Sequence, residues 1–163
     1  MKTAIRFLCL MVCWGACAAQ TPQMPPPTSA APPPASASDE SVTKAEEGAK
    51  AWLVLVDSGQ YGQAWTKASP VFQRNIREAD WDKGAADKLG SAGGVKSRVL
   101  RDATPKDAIP GAPPGHYVSI MYYTEFKSVE PANEYVTMSQ EKDGSWKVMG
   151  YGLQAASATQ TKP

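Results

Sequence analysis

Cysteine is absent from the sequence beyond residue 19, because Cys9, Cys13 and Cys17 are the only three in the chain. Disulfide frameworks, cysteine-type zinc sites and thiol catalysis are therefore excluded from the rest of the chain. Histidine is almost as scarce, since His116 is the single one. One histidine cannot complete a metal site that needs several, and it supplies only one member of a histidine-based triad. We therefore expect His116 to be an exposed or capping residue.

An excess of charge of one sign is also missing. The chain has 17 lysines and arginines against 16 acidic residues, a formal net charge of +1. Loss of the first 19 residues removes two of the basic residues and no acidic one, which leaves −1. Because phosphate backbones are bound by clustered lysine and arginine, we expect no nucleic-acid partner.

One long apolar run lies at the N-terminus. Lys2 and Arg6 precede it, it extends from Phe7 to Trp14, and small residues follow up to Ala19. This order is typical of a secretory signal, whose apolar region of about 7 to 15 residues is too short to span a bilayer. We expect residues 1–19 to direct export to the periplasm or the medium.

Two ways of processing this segment remain open. Ala16 and Ala18 fit an Ala-x-Ala cleavage site, whereas Trp14 to Cys17 resembles a lipobox, in which the cysteine becomes the lipidated first residue. Trp14 stands where a leucine-like residue is usual, which favours release without a lipid. In the lipobox alternative, Cys17 would anchor the protein in the outer membrane.

Residues 20–38 are rich in proline and contain no charge. Proline runs at 25–27 and 32–34 favour extended polyproline II, at about 3.1 Å per residue. Nothing in this segment offsets the entropy cost of ordering a fold. We therefore predict a semi-rigid tether, followed by one domain over residues 39–154 and a flexible tail over 155–163.

Apolar residues at spacings of three and four begin after Asp39 and predict a first helix. Ser41 or Thr43 would cap it, with Glu46 and Glu47 in its first turn. The sequence Asp57-Ser58-Gly59 would end it.

Two further helical segments follow. Tyr61 and Trp65 indicate a short second helix, and Ser69-Pro70 places a cap and a first-turn proline before a third. Its apolar pattern continues to Gly90. A glycine-rich break at 91–94 lacks the lysine and hydroxyl residue of a phosphate-binding loop and is interpreted as a linker.

After the glycines the apolar period changes to two, which predicts strands. The strongest hairpin signal is Lys142-Asp143-Gly144. Helices followed by an antiparallel meander are typical of an α+β fold, here with the N-terminal helices on a curved antiparallel sheet of about four strands. The predicted strands are 95–104, 116–127, 134–141 and 145–153.

Alternation along these strands divides the sheet residues into two faces. We predict a core face of Val118, Ile120, Tyr122, Val136, Met138, Trp146 and Val148. The opposite face is unusually apolar and is a candidate interaction face, either for a dimer or for a groove wall: Tyr117, Met121, Tyr123, Met149 and Tyr151. A sheet that curls so that both faces are partly buried is the alternative.

Two groups of residues resemble the halves of bacterial domain-of-unknown-function family four-zero-one-nine. The first half is carried by Ala45-Glu46-Glu47, Ala51-Trp52-Leu53, Val56-Asp57, Gly59, Tyr61, Trp65, Phe72 and Trp81. The second is carried by Pro110 to Pro113, Gly115, Tyr117-Val118, Tyr122, Glu134, Val136-Thr137, Lys142 to Gly144, Trp146, Val148 and Gly150-Tyr151. Pro114 and Gly152-Leu153 depart from the family pattern. The resemblance implies an exported domain with the helix-and-sheet cone of nuclear-transport-factor-two-like, or cystatin-like, proteins, and it brings no catalytic residue.

No set of residues points to catalysis, to a metal or to a cofactor. We therefore expect a non-enzymatic protein that has no metal site and no cofactor. Acidic residues that could pair in principle are Asp102, Asp107, Glu125, Glu134 and Glu141, and we interpret them as a solvated face. The tryptophans beyond residue 19 are interpreted as core.

Three functions stay open for this domain. We favour a binding module for another envelope protein, or for a second copy, with the membrane reached only through the signal segment or a lipid anchor. A small-ligand pocket with weak catalysis is the second, because this kind of fold often encloses one. A secreted inhibitor or immunity-type partner is the third.

Overall fold

The computed structural model describes residues 37–156. The predicted signal segment with Cys17, most of the tether and the end of the tail lie outside these residues. Four helices precede four strands. The elements are α1 Ala37–Asp57, α2 Tyr61–Lys67, α3 Pro70–Asn75, α4 Glu78–Ser91, β1 Val95–Lys106, β2 Tyr117–Phe126, β3 Ala132–Gln140 and β4 Trp146–Ala155.

Within residues 37–156, no helix combines the length and the apolar character needed to cross a membrane.

The strands form one antiparallel sheet in the order β1-β2-β3-β4, so each strand pairs with its neighbour in the chain. The sheet is open, with β1 and β4 at its two edges. This confirms the predicted α+β class with helices before an antiparallel meander. The hairpin signal is confirmed too: Gly144 has φ 81°, and Asp143 Oδ1 accepts hydrogen bonds from the amide and hydroxyl of Ser145.

The core lies between the sheet and the helices. Its apolar residues come from α1, α2, α3, α4 and the helix-facing positions of the strands. Gly48 marks the closest approach of α1 to the sheet, because a Cβ placed there would lie 3.1 Å from Met138 Cε and 3.2 Å from the Trp146 carbonyl oxygen. A side chain at position 48 would therefore push α1 away from the sheet.

The start of α1 differs from the expectation. The helix begins at Ala37, and its first-turn acids are Asp39 and Glu40. The predicted cap at Thr43 is wrong, because the Thr43 hydroxyl donates to the Asp39 carbonyl one turn back, inside the helix. Ser41 lies inside α1 as well. The helix ends at Asp57 as predicted, and Gly59 follows with φ 73°.

The helical pattern from 70 to 90 belongs to two helices instead of one. Ser69 caps α3 as predicted, since its Oγ accepts from the Phe72 amide at 3.2 Å. Ile76 then adopts an extended conformation with φ −137° and ψ 127°, which ends α3. Arg77 is the residue before α4, and its guanidinium bonds the Asp80 carboxylate at 2.6 Å. Periodicity alone did not show this break, because Phe72 and Trp81 both reach the same core.

Candidate functional site

The five residues predicted to share the face opposite the core do not all lie there. Cross-strand partners share a face of a sheet. Tyr117, Met121 and Tyr123 alternate with the core residues of β2 and therefore point away from the helices. Tyr151 points the other way: its ring centroid lies 5.3 Å from that of Trp52. The placement of Tyr151 on the interaction face was therefore wrong.

A β-bulge explains this error. Thr137 pairs with Gly150 and Met138 pairs with Val148, so Met149 is an extra residue in β4. An extra residue exchanges the faces of all positions beyond it relative to strict alternation. Val148 and Tyr151 both face the helices as a result, and Met149, the fifth predicted residue, is the bulge itself.

The face that the helices leave uncovered, here called the open face, is centred on β1, β2 and β3. Val99 pairs with Tyr123, and Met121 pairs with Tyr135. Val99 and Tyr135 are exposed large hydrophobic residues of this face, at 38% and 39%. Tyr123 is almost buried, and the Arg101 guanidinium lies 5.2 Å from its ring centroid, a cation–π contact.

The far end of the open face is covered by a loop. Tyr117 is buried, and its hydroxyl donates to the Pro113 carbonyl in the turn that precedes β2. The accessible part of the open face is therefore smaller than the sequence indicated. It is formed by Val99, Arg101, Met121 and Tyr135, and the ring of Tyr123 lies under Arg101.

The helix-facing side of the sheet also holds a polar cluster, which extends from the buried Glu134 to the partly exposed Asp57 at the end of α1. Arg98 on β1 bridges two carboxylates. Its Nε and Nη2 donate to Glu134 at 2.6 and 3.3 Å. Its Nη1 and Nη2 donate to Asp57 at 2.7 and 2.9 Å. The Glu134 side chain is 1% exposed and that of Asp57 is 31% exposed.

Glu134 accepts two further hydrogen bonds. The Tyr151 hydroxyl donates to its Oε1 at 2.7 Å, and the Thr124 hydroxyl donates to its Oε2 at 2.8 Å. Both carboxylate oxygens are thereby satisfied, as a buried charge requires. The cluster joins the end of α1 to β1, β2, β3 and β4.

These contacts shift the pKa values of the cluster. Burial by itself would lower the pKa of Arg98, but the hydrogen bonds and charges of Asp57 and Glu134 outweigh it and hold that pKa above its usual range. Burial, followed by the charge and hydrogen bond of Glu134, raises the pKa of the Tyr151 hydroxyl. Arg98 therefore stays charged and Tyr151 stays neutral. Neither group is poised to exchange a proton near neutral pH.

Tyr122 lies on the same side of β2 without such a partner. The residue is 2% exposed, and no hydrogen-bond partner for its hydroxyl is found among residues 37–156. Burial and the nearby charge of Glu46 raise its pKa to about 12. The contrast with Tyr151, whose hydroxyl is bonded, offers a direct test of what a buried hydroxyl costs.

The carboxylates singled out in the sequence are distributed over separate places. Glu125 accepts from the Ser97 hydroxyl, Asp102 from the Thr104 hydroxyl, and Glu141 from the Ser139 hydroxyl. Of the five, only Glu134 belongs to the polar cluster around Arg98. His116 lies 3.5 Å from Asp107 with both side chains largely exposed, so the prediction of an exposed histidine is confirmed.

Sequence reasoning missed Asp57 and Arg98. Asp57 was interpreted only as part of a helix stop. The negative charge of Asp57 was an available signal. An acidic residue in the last turn of a helix opposes the helix dipole, and α1 has no basic residue there. Such a residue needs a cation from elsewhere in the fold. Arg98 supplies it over a separation of 41 residues, which no local pattern reveals.

An aromatic cluster fills the space between helices and sheet. Five ring pairs have centroids 5.2 to 6.3 Å apart, and they link Trp52, Phe72, Trp81 and Tyr151. The indole of Trp52 donates to the Ala64 carbonyl at 2.7 Å, and that of Trp81 donates to the Tyr61 carbonyl at 3.0 Å. These contacts confirm the interpretation of both tryptophans as core.

Helices on one face of an open, four-stranded antiparallel sheet define the class of the domain as α+β. A family model described as Protein of unknown function (DUF4019) matches residues 48–151. Because the match covers more than half of the 163 residues, the chain belongs to this family. No curated protein matches the chain. The family description assigns no chemistry.

Proposed function

We propose that this protein is an exported, non-enzymatic interaction module that binds another protein of the cell envelope through the open face. The observation that carries the proposal is the contrast between the two sides of the sheet. The helix-facing side is filled by aromatic rings and by a polar cluster whose hydrogen bonds are made within the domain. The open face presents apolar and aromatic groups to solvent.

The interior supports a structural role because its reactive-looking groups already bind one another. Arg98 uses Nε and both terminal nitrogens on Asp57 and Glu134. A substrate anion would have to displace either Glu134, which is buried, or the partly exposed Asp57 from that guanidinium. Breaking the buried pair with Glu134 costs about 3–5 kcal/mol, so displacement of Glu134 is unfavourable.

The open face supports binding because its exposed residues are of the types that interfaces favour. Tyrosine, methionine and arginine are enriched at interface centres, and Tyr135, Met121 and Arg101 lie together here. A solvated antiparallel face normally alternates to polar residues. Val99 and Tyr135 instead leave apolar surface exposed.

Export is supported by the sequence of the first 38 residues. A signal-type segment followed by a charge-free, proline-rich spacer is typical of a protein held or released in the envelope. Release after Ala18 or Ala19 and lipidation at Cys17 remain the two outcomes. Mass spectrometry of the mature protein distinguishes them, because a free Ala19 or Gln20 start excludes the anchor.

The cone-shaped fold of nuclear-transport-factor-two-like proteins remains our proposal for the finer architecture. The order of helices followed by a meander supports it. An experimental structure would test it, and a flat sheet without an enclosing bend would contradict it.

The experiment that tests binding compares surface variants in a crosslinking capture from envelope extracts of the native cell. We would replace Val99 and Tyr135 by serine together, since both are more than a third exposed. Val54→Ser is the matched control, because Val54 is 62% exposed on α1, on the other side of the domain. We expect the double variant to lose a specific captured protein and the control to retain it.

Retention of the same captured protein by both variants would contradict the use of the open face. Sedimentation of the purified full-length chain tests the self-association version. A dimer that dissociates in the Val99→Ser, Tyr135→Ser variant would mean that the partner is a second copy. Unfolding curves of both variants show whether any loss comes from the surface or from the fold.

A groove beside Trp146 supports a second candidate function, the binding of a small ligand. It has a volume of about 410 Å³, within the range of small-molecule sites. Trp52, Leu55 and Val148 form apolar walls, and two lysines stand at its margin: Lys67 and Lys147. A thermal-shift screen of metabolites tests this, because a ligand at 100 times its dissociation constant adds about 2.7 kcal/mol. Ala51→Met would fill the groove and should abolish any hit, and a hit that survives would contradict this location.

A further inference from the structure

The two edge strands of the sheet differ in how they guard against pairing with another chain. Edge strands expose unpaired main-chain groups, and proteins commonly block them with charge, proline or bulges. β1 carries all three: bulges at Lys96 and Arg101, and Pro105 near its end. β4 carries one bulge at Met149, and residues 150–155 contain neither charge nor proline.

The unpaired main-chain groups of β4 can be assigned from the hydrogen-bond alternation of an antiparallel ladder. The Val148 carbonyl points away from β3, because it accepts from the Ser69 amide at 2.8 Å. The Ala156 amide bonds the Pro131 carbonyl, on the β3 side. Between these two points the alternation directs the amide and carbonyl of Tyr151 and of Leu153 to the free edge.

Ser69 thus occupies only the first part of this edge. Within residues 37–156, no main-chain partner outside β3 is found for Tyr151 or Leu153. The hydrogen bond from the Ser69 amide to the Val148 carbonyl shows that this edge already accepts a main-chain donor from outside the sheet. A strand that continued this row would meet Tyr151 next and then Leu153.

A groove runs beside the same stretch of edge. Its volume is about 200 Å³, and α4 forms one wall while Tyr151, Gly152 and Leu153 form the other. Trp81, Ala85 and Leu89 give the α4 wall apolar surface, and the same wall carries one charge of each sign, on Asp80 and Lys88. The volume is below the range of about 300–1,000 Å³ that small-molecule sites occupy, so it suits one or two side chains.

We propose that the free edge of β4, from Gly150 to Ala155, binds an extended peptide segment of a partner protein as a fifth strand. Main-chain groups of Tyr151 and Leu153 would pair with the peptide. Because alternate side chains of a strand point to the same face, apolar side chains at every second peptide position would enter the groove beside α4. This site lies on a different part of the domain from the open face and goes beyond the function proposed above.

The length of the free edge favours a peptide over a second copy. Six residues of strand span about 20 Å, enough for a short segment. A stable dimer needs about 20–30 residues a side, far more than this stretch offers. Gly150 and Gly152 also lack side chains that would hinder an approaching backbone. The sequence of the partner is therefore expected to alternate between apolar and polar residues.

The test uses a displayed library of random twelve-residue peptides, selected on the full-length chain. Gly84→Met fills the groove, since a Cβ at Gly84 would contact nothing within 4 Å and the helix should tolerate it. Gly90→Met is the matched control on the same helix, with the same free space but outside the groove. Leu153→Pro removes an outward amide without removing a bond to β3.

We expect the selected peptides to share an alternating apolar pattern and to bind the wild type and Gly90→Met equally. Binding should weaken at least tenfold in Gly84→Met and in Leu153→Pro, and the peptide should slow hydrogen exchange at the Tyr151 and Leu153 amides.

Equal binding by all four proteins, or no enriched peptide, would overturn the proposal. So would protection of these amides that grows with protein concentration alone, which would identify a second copy as the occupant. The Val99→Ser, Tyr135→Ser variant should bind the peptide normally, so a failure here is separable from a failure of the open face.

Discussion

Arg98 and Arg101 lie three residues apart on β1, and they point to opposite faces of the sheet. Arg98 faces the helices, where it holds two carboxylates and its side chain is 16% exposed. Arg101 faces outward, where its guanidinium covers the ring of Tyr123. Arg98 is therefore held by two carboxylates on the helix-facing side, whereas Arg101 contacts an aromatic ring on the open face.

The same contrast holds for tyrosines. Tyr151 on the helix-facing side bonds Glu134 and contacts Trp52 and Trp81. Tyr135 on the open face is 39% exposed. Residue type therefore does not separate the two sets of residues in this domain. We propose that the face decides: residues on the helix-facing side stabilise the fold, and residues on the open face bind a partner.

The largest effect is expected for Arg98→Ala. It would leave Glu134 buried without its cation, and breaking a buried pair costs about 3–5 kcal/mol. Arg101→Ala is the matched control on the same strand and should cost less than about 1 kcal/mol. The free energy of unfolding in urea measures both. Equal losses for the two arginines would remove the distinction between the faces.

Tyr151→Phe should cost about 1–3 kcal/mol, because Glu134 would lose one of its donors while remaining buried. The ring contacts with Trp52 and Trp81 are retained, so the change isolates the hydroxyl. Unfolding in urea against the wild type is the measurement. A neutral result would mean that Thr124 and Arg98 alone satisfy the carboxylate.

Tyr122→Phe should act in the opposite direction and stabilise the fold by about 1 kcal/mol at neutral pH, since it removes a buried hydroxyl that finds no hydrogen-bond partner within residues 37–156. A pH dependence goes with it. The pKa of Tyr122 is raised to about 12 from an ordinary value of 10, so its neutral form is favoured in the folded state.

Between pH 10 and 12 the unfolded chain therefore loses this proton while the folded chain keeps it, and stability falls as the pH rises. Comparison of wild type and Tyr122→Phe across this window isolates the effect from other groups. The advantage of the variant should grow with pH. An advantage that shrinks would show that the hydroxyl has a stabilising partner.

The smallest effect on stability is expected for Tyr135→Ser. An exposed position away from the core usually changes the free energy of unfolding by less than about 0.5 kcal/mol. Binding to a partner of the open face should nevertheless weaken. If the variant lost much stability but still captured the same envelope protein, Tyr135 would have a structural role in the sheet and not the proposed role in binding.

Much of the fold was predictable because its signals are local. Ser69-Pro70 gave a helix start, and Asp143-Gly144 gave a hairpin, and both depend on neighbouring residues only. The strand limits differ from the prediction by no more than two residues. The break at Ile76 was missed because it preserves the apolar period on both sides.

The polar cluster was less accessible to sequence reasoning. Its members Asp57, Arg98, Thr124, Glu134 and Tyr151 come from five elements, and only the folded domain brings them together. Glu134 looked like one more polar position on an alternating strand. The face of Tyr151 depended on one extra residue in β4, which alternation cannot reveal because it assumes that no residue is inserted.

That extra residue has a consequence for changes of chain length. If Met149 were deleted, Val148 would still pair with Met138 and Gly150 with Thr137, so each side chain of β4 would keep its orientation. What would disappear is the local bend and added twist that a bulge produces. Whether the domain tolerates a deletion at Met149 therefore depends only on the loss of this bend and twist. A deletion elsewhere in β4 would in addition require the bulge to move to another residue.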